Sequence, residues 1–268
     1  MLSWYRADLH IHTVLSACAE LNMGPRDIVL AAEEKHLDII AITDHNSAEN
    51  ARAVMMAAVG RDLLVIPGME VATAEDVHLV CLFPRLENAL VFQSFVYLHL
   101  PEGEYDESLY GPQIVCDEDE NILHNERLLL AFSTNMSMEQ IFAKVSSFDG
   151  ICYPAHVDRQ AYSALHALGH IPVHIPFSAV EISHRMLVEE ALNKFPELQR
   201  YKLVTASDAH DAKDIGKAIT FFFLERPTFA EIKMALAGQE GRMVSVLRPA
   251  IPRSEEHTSE LQSPNTIS

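Results

Sequence analysis

The chain has 268 residues, 49% apolar and 22% charged, with 20 Lys and Arg against 38 Asp and Glu and a formal net charge of −18. This is the make-up of a soluble chain with one large core. Its acidity opposes a long basic groove for nucleic acid, and no apolar run reaches the roughly 18 residues of a membrane span. The opening Met1-Leu2-Ser3-Trp4 lacks the basic and long apolar parts of a leader, so a secretory signal is not expected. The four cysteines, Cys18, Cys81, Cys116 and Cys152, are scattered with no C-x-x-C pair, which fits a reducing cytoplasm.

In chain order, the apolar patterning predicts a strand at 7–12 and a helix at 25–35, with Pro25 suited to its first turn. A strand at 38–43, a helix at 48–59 and strands at 63–71 and 78–83 follow. After a break come strands at 150–154, 179–183, 202–206 and 219–224, with helices at 186–193 and 228–237. Cys81 and Cys152 fall inside strand runs as core residues. The alternation implies a mostly parallel sheet with crossover helices, and seven or more such strands suggest a closed or nearly closed barrel.

Residues 86–148 break this rhythm and read as an insertion between the fourth and fifth strands. They hold an acidic loop at 101–110 and, at 113–123, a β-hairpin with the polar turn Asp117-Glu118-Asp119-Glu120-Asn121. Such an insertion is either a solvated excursion or a substrate lid. The last 16 residues, 253–268, are polar and aperiodic and read as a disordered, non-native tail. They are set aside together with His257, leaving a single domain at 1–252.

Chemistry concentrates in His10-x-His12, Thr43-Asp44-His45, Gly68-Met69-Glu70, His78, His156 and Ser207-Asp208-Ala209-His210, each read at or just after the C-terminal end of a strand. Residues i and i+2 of a strand share a face, so His10 and His12 can chelate one ion, and Asp208 and His210 repeat the pattern. A row of imidazoles and carboxylates at successive strand ends is how an α/β barrel builds a metal site. These ligand types suit Zn, Mn and Fe rather than Ca.

Asp8-Leu9-His10-Ile11-His12-Thr13, Ile42-Thr43-Asp44-His45, Pro67-Gly68-Met69-Glu70, Tyr153-Pro154-Ala155-His156 and Ala206-Ser207-Asp208-Ala209-His210 together resemble the ordered motifs of the PHP (polymerase and histidinol phosphatase) superfamily over about residues 5–250. The resemblance implies an α/β fold, a distorted (β/α)7 barrel of the PHP type, holding up to three metal ions at its C-terminal strand ends. It implies His10, His12, Glu70 and Asp208 as ligands of a first ion. Glu70 would bridge to a second ion held by His78 and His156, and His45 and His210 would bind a third. That third site normally takes one more His or Asp from the loop after His-x-His. Here Cys18 stands in that loop, with Glu20 as the alternative, and a thiolate there would favour Zn²⁺ or Fe²⁺ over Mn²⁺ or Mg²⁺.

Two or three such ions hold a water as hydroxide for in-line attack on phosphorus and clamp the non-bridging oxygens. The leading expectation is therefore a metal-dependent phosphoesterase acting on a small phosphorylated metabolite or nucleotide. A nuclease or exonuclease with the same centre and a non-catalytic metal-binding module are the alternatives; a C–N hydrolase is more distant. Asp44 reads as a carboxylate that orients His45 or shuttles a proton, or else as a strand-end cap. Arg159 reads as a bidentate phosphate anchor or a surface Arg, and His184 as a residue of the mouth. His166, His170 and His174 fall at spacing four, but Pro172 and Pro176 oppose a continuous helix and assign them to a loop. His36, His99 and His124 have no supporting pattern.

Overall fold

The computed structural model describes residues 1–249; the tail at 253–268 and His257 lie outside the described residues. In chain order the elements are β1 (Ser3–Ile11), α1 (Pro25–Glu34), β2 (Ile39–Ile42), α2 (Ala51–Ala57), β3 (Leu64–Ala72) and β4 (His78–Leu82). Then come α3 (Leu86–Tyr97), α4 (Glu107–Tyr110), β5 (Ile114–Cys116), β6 (Ile122–Asn125), α5 (Met138–Ser147), β7 (Ile151–Pro154) and α6 (Ala164–Ala167). The chain continues with β8 (Ala179–Ser183), α7 (Val188–Lys194), β9 (Lys202–Ala206), β10 (Thr220–Leu224), α8 (Phe229–Leu236) and β11 (Met243–Ser245). The fold is mixed α/β. A curled seven-stranded sheet has the order β11-β10-β1-β2-β3-β4-β7, and the parallel pair β8–β9 packs against β7 on one side and β1 on the other.

The sheet is less parallel than the alternation predicts. β1, β2 and β3 run parallel, whereas β4 is antiparallel to β3, β7 to β4, β10 to β1 and β11 to β10. Connection length explains the first reversal. Only residues 73–77 join β3 to β4, and a parallel crossover needs about a dozen residues. His78 consequently opens β4 instead of following a strand, and the hairpin returns it to the end of the sheet where β3 finishes.

β3 changes partner in mid-course. Leu64 to Pro67 pair with β2, and Gly68 to Ala72 pair with β4. Pro67, which has no N–H to give, closes the parallel ladder opposite the last residue of β2. A Cβ at Gly68 would lie 2.6 Å from the Cys81 carbonyl and 2.8 Å from the Leu82 side chain, so only glycine lets β4 approach. Thus Pro67-Gly68 is the switch that swings Glu70 over the sheet.

Alternation sorts the core into layers. Ile40, Ile42, Val65, Met69, Leu79, Cys81, Val180 and Ile182 pack in the larger apolar cluster with residues of α1, α2 and α3. The other face contributes Ile39, Ala41, Ile66, Val80, Leu82, Tyr153, Ala179 and Val204 to a second cluster. Along β3, β4 and β8 that second face reads Ile66-Gly68-Glu70, Leu82-Val80-His78 and Ala179-Glu181-Ser183. Ionisable groups therefore form a layer above an apolar floor.

The 86–148 segment contains the predicted hairpin (β5 and β6) and also three helices, α3, the single turn α4 and α5, that the patterning does not single out. α5 starts at a capping box between Ser137 and Gln140. Two asparagines bind this segment to the sheet. Asn46 donates to the Leu130 and Phe132 carbonyls, and Asn50 bridges Ile114 O and Cys116 N–H. The predicted 165–175 loop includes the single turn α6, capped by Ser163; His166, His170 and His174 are all exposed.

Arg242 clamps Glu231 of α8 through two contacts of 2.7 Å. Hydrogen bonding from Arg242 lowers the Glu231 carboxyl to about 2, against roughly 4.3 for a free Glu. A lowered folded-state pKa adds stability above the unfolded value, and that stability is lost as pH falls from about 4.3 towards 2. Glu231→Gln is expected to lower the urea midpoint at pH 7, and the gap to wild type should shrink on acidification across that window.

Candidate metal centre

Glu70 is 1% exposed and faces five imidazoles. Its Oε1 lies 2.8 Å from His78 Nδ1, 3.0 Å from His156 Nε2 and 3.3 Å from His10 Nε2. Its Oε2 lies 3.0 Å from His45 Nδ1 and 3.5 Å from His12 Nε2. Sheet register explains part of this: Glu70 sits opposite Val80, so His78 is its diagonal neighbour on the same face. The loop after β2 runs on beside β3, with Glu70 N–H donating to Asp44 O and Asn46 N–H to Glu70 O, and this lays His45 alongside. Asp208 closes the other side, its Oδ1 3.2 Å from His12 Nε2 and 3.5 Å from His10 Nε2. The His210 ring stacks on His12 at 4.1 Å.

The ring tautomers follow from the outer contacts. Ser16 donates its hydroxyl to Asp44 at 2.7 Å, so His12 Nδ1–H must be the donor in the 2.9 Å contact to Ser16 Oγ. His10 Nδ1–H donates to Glu181, 3.1 and 3.2 Å from its two oxygens. In their neutral forms both rings then turn Nε2 lone pairs inward, 3.3 Å from each other and next to two carboxylates. Lone pairs and carboxylates so close repel unless a cation lies among them, and a divalent ion suits this donor set.

The electrostatics agree. Burial alone would lower His10, yet Glu181, Glu70 and Asp208 raise it well above the usual imidazole value. A metal ion would displace that proton. Burial and the neighbouring His210 and His45 push His12 well down, keeping it neutral as a ligand must be. Burial would raise Glu70, but His78 and His10 outweigh it and hold the carboxylate ionised. Burial would also raise the Cys18 thiol, yet hydrogen bonds from His210 and His45 bring it down to about 6.

Within this site three groups have ligand atoms within 4.8 Å of one another: His10, His12 and Asp208; His45, Glu70 and His78; and His12, His45 and His210. His156 joins through Glu70. Cys18 Sγ lies 3.3 Å from His45 Nε2. Glu20 is exposed and belongs to none of these groups; its contact with the site is through its backbone, which donates to His210 O.

The outer residues differ from expectation in two places. Asp44 is wholly buried and makes no bond to the His45 ring. It accepts from Thr13 N–H, Thr13 Oγ1 and Ser16 Oγ, so it shapes the loop that holds His12. His184 is exposed and stands outside the cavity wall: the chain leaves β8 at Ser183 and turns, and Ser183 and Arg185 line the cavity in its place. Arg159 does line it, with one guanidinium nitrogen 2.5 Å from Asp208 Oδ2. The cavity measures about 560 Å³ and is also walled by Glu70, His78, His156, Tyr162 and His210.

Glu181, Arg185 and Tyr162 were not singled out from the sequence. Glu181 is the most informative of them. It is wholly buried and also accepts the His156 N–H at 3.2 Å, where the chain has the left-handed φ of 27°. Asp208, at φ 50°, is likewise held in a conformation disfavoured for non-glycine residues. A lone carboxylate inside the apolar strand Ala179-Val180-Glu181-Ile182-Ser183 was the available signal.

The model of the PHP domain family matches residues 8–237, and the chain belongs to that family. Endonuclease Q from Pyrococcus furiosus, described as lesion-specific, superposes with a TM-score of 0.70 at 18% identity, over 90% of this chain and 58% of that one. The chain thus spans little more than half of that enzyme's length. PsfC from Pseudomonas syringae gives 0.58 at 15% identity, over 91% of this chain and 92% of that one. A protein of Bifidobacterium adolescentis, provisionally described as a metal-dependent phosphoesterase, gives 0.56 at 16% identity, over 87% and 96%. No curated protein matches the chain. These likenesses show the shared fold, and the clustered His, Asp and Glu side chains are groups that could hold a metal ion. Among the described residues, no helix is long and apolar enough to cross a membrane.

Proposed function

We propose that this protein is a metal-dependent phosphoesterase that hydrolyses a small phosphorylated metabolite or nucleotide in the cytoplasm, on a distorted (β/α)7 barrel with 86–148 inserted at its mouth. The observation that carries the reading is the pairing of the Glu70–Asp208 imidazole cage with two guanidinium groups, Arg159 and Arg185, on one cavity wall. His10, His12, Glu70 and Asp208 would hold one ion, Glu70, His78 and His156 a second, and His45, His210 and Cys18 a third. Divalent Zn, Mn or Fe bound there supplies Lewis acidity towards phosphate oxygens and lowers the pKa of water.

The rest falls to the protein. A guanidinium has five donors, so the contact of Arg159 with Asp208 leaves others for a phosphate. Arg185 adds a second positive group on the same wall. Glu181 orients His10, and Asp44 orients His12 through Ser16. A nuclease reading is the second candidate, favoured by the likeness to endonuclease Q, which was also determined with a 27-mer duplex carrying an abasic lesion.

The test is metal content together with hydrolysis of an aryl phosphate and a bis-aryl phosphate in Mn²⁺ or Zn²⁺. Two to three ions per chain, monoester hydrolysis faster than diester, and loss of both metal and turnover in His10→Ala are the expected results. Faster diester hydrolysis would favour the nuclease, and absence of bound metal would sink both readings.

A further inference from the structure

A second cavity, of about 570 Å³, adjoins the metal cavity, and Tyr162 lines both. Three aromatic rings wall it: Tyr162, Tyr110 and Phe132. Tyr162 is anchored at the metal side, stacked on the His78 ring at 4.4 Å and 14°, with its carbonyl accepting the His78 N–H at 2.9 Å. Tyr110 meets Phe132 edge to face at 5.7 Å, and the buried Tyr105 lies 5.7 Å from Tyr110 on its own segment. Tyr110 and Tyr162 are nonetheless about half exposed, at 46% and 47%. Asp76 supplies a polar end, accepting the Ser133 hydroxyl at 2.8 Å.

The two cavities divide the chemistry. Arg159 and Arg185 line the first, whereas the second is lined by aromatic and small residues with the acceptor Asp76 and by no Lys or Arg. The first suits a phosphate. The second suits an uncharged flat ring that carries N–H donors, since such a ring stacks on aromatic side chains and gives its donors to a carboxylate.

Resting on the phosphoesterase reading, we propose that the second cavity is a base subsite: it takes the nucleobase of a substrate whose phosphate lies in the metal cavity. The substrate class narrows to nucleotides, either free or at the end of a single strand. The 86–148 segment, which supplies Tyr110 and Phe132, is then a specificity element.

The test is binding of 2-aminopurine riboside, its 5′-monophosphate, and a short single strand ending in 2-aminopurine to the full chain, read by fluorescence quenching. The nucleoside alone is expected to bind with or without added metal. Phe132→Ala should weaken nucleoside and monophosphate about tenfold, the scale of one lost stacking contact. Phe132→Leu, which keeps apolar bulk but removes the ring, should do the same and guards against misfolding as the cause. Equal affinity for mononucleotide and strand would identify a free nucleotide as the source, and tenfold tighter strand binding a strand end. Binding of the monophosphate no tighter than inorganic phosphate, unchanged in Phe132→Ala, would overturn the base subsite. The phosphoesterase reading would survive that result, because it stands or falls on aryl phosphate hydrolysis.

Discussion

Glu70→Gln is expected to remove at least one bound ion per chain and to cut phosphate ester hydrolysis by more than about 100-fold, since even the outer partners of metal ligands cost 10–100-fold. Glu70 touches five imidazoles with two oxygens, and the oxygens divide them: His78, His156 and His10 on one, His45 and His12 on the other. Glutamine keeps the shape but replaces one oxygen with an NH2 donor and removes the charge. One side of the cage then turns a donor towards the rings, where a ligand needs a lone pair. Glu70→Asp keeps the charge on a stem one methylene shorter and should fall between wild type and Glu70→Gln. Elemental analysis and initial rates on the same preparations check the prediction, with circular dichroism to establish that the variant is folded. Full metal content and full rate in Glu70→Gln would remove Glu70 from the centre.

Glu181 is expected to be nearly as consequential without touching an ion. Its carboxylate takes the His10 Nδ1–H and so commits His10 Nε2 to the cage, and it takes the N–H of His156, which sits at a left-handed φ. One buried group thus orients two of the proposed ligands. Glu181→Ala should weaken metal binding by about 100-fold and Glu181→Gln by about 10-fold, because the amide oxygen can still accept one of the two donors. The alanine variant also leaves a buried N–H without its acceptor, at a cost of about 1–3 kcal/mol in stability. Chelator competition separates the two effects: a positioning role moves metal affinity, whereas a merely structural role lowers the urea midpoint and leaves affinity intact.

The parts of the site legible from the chain were those whose geometry is local. His10 and His12 are two residues apart at the end of β1, and period-two alternation sets the side they share, whereas Asp208 and His210 lie past the end of β9 and meet through a left-handed φ at Asp208. β8 and β9 have the bounds that their apolar runs suggest, and the hairpin at 113–123 declared itself by its polar turn. The helices α3, α4 and α5 are not legible in a segment read as an insertion with an acidic loop and a hairpin, although Ser137 and Gln140 carry a start signal for α5. His184 follows β8 directly, but which residues of that turn face the cavity depends on how the chain bends after Ser183, and there Ser183 and Arg185 line it instead.

The sequence by itself determined the strands that carry the site, the family, and which imidazoles and carboxylates stand near strand ends, because each of these is a short-range pattern of side-chain type. Tertiary structure alone decided which of them meet. His10 and Glu181 are 171 residues apart, and Asp8 reaches the backbone of Ser207 across 199 residues. His78 reaches Glu70 only because β4 runs antiparallel in one register, and Cys18 reaches His45 only because its loop folds back across the strand ends. Contacts of this kind depend on strand pairing and loop closure, which the spacing of residues along the chain does not encode.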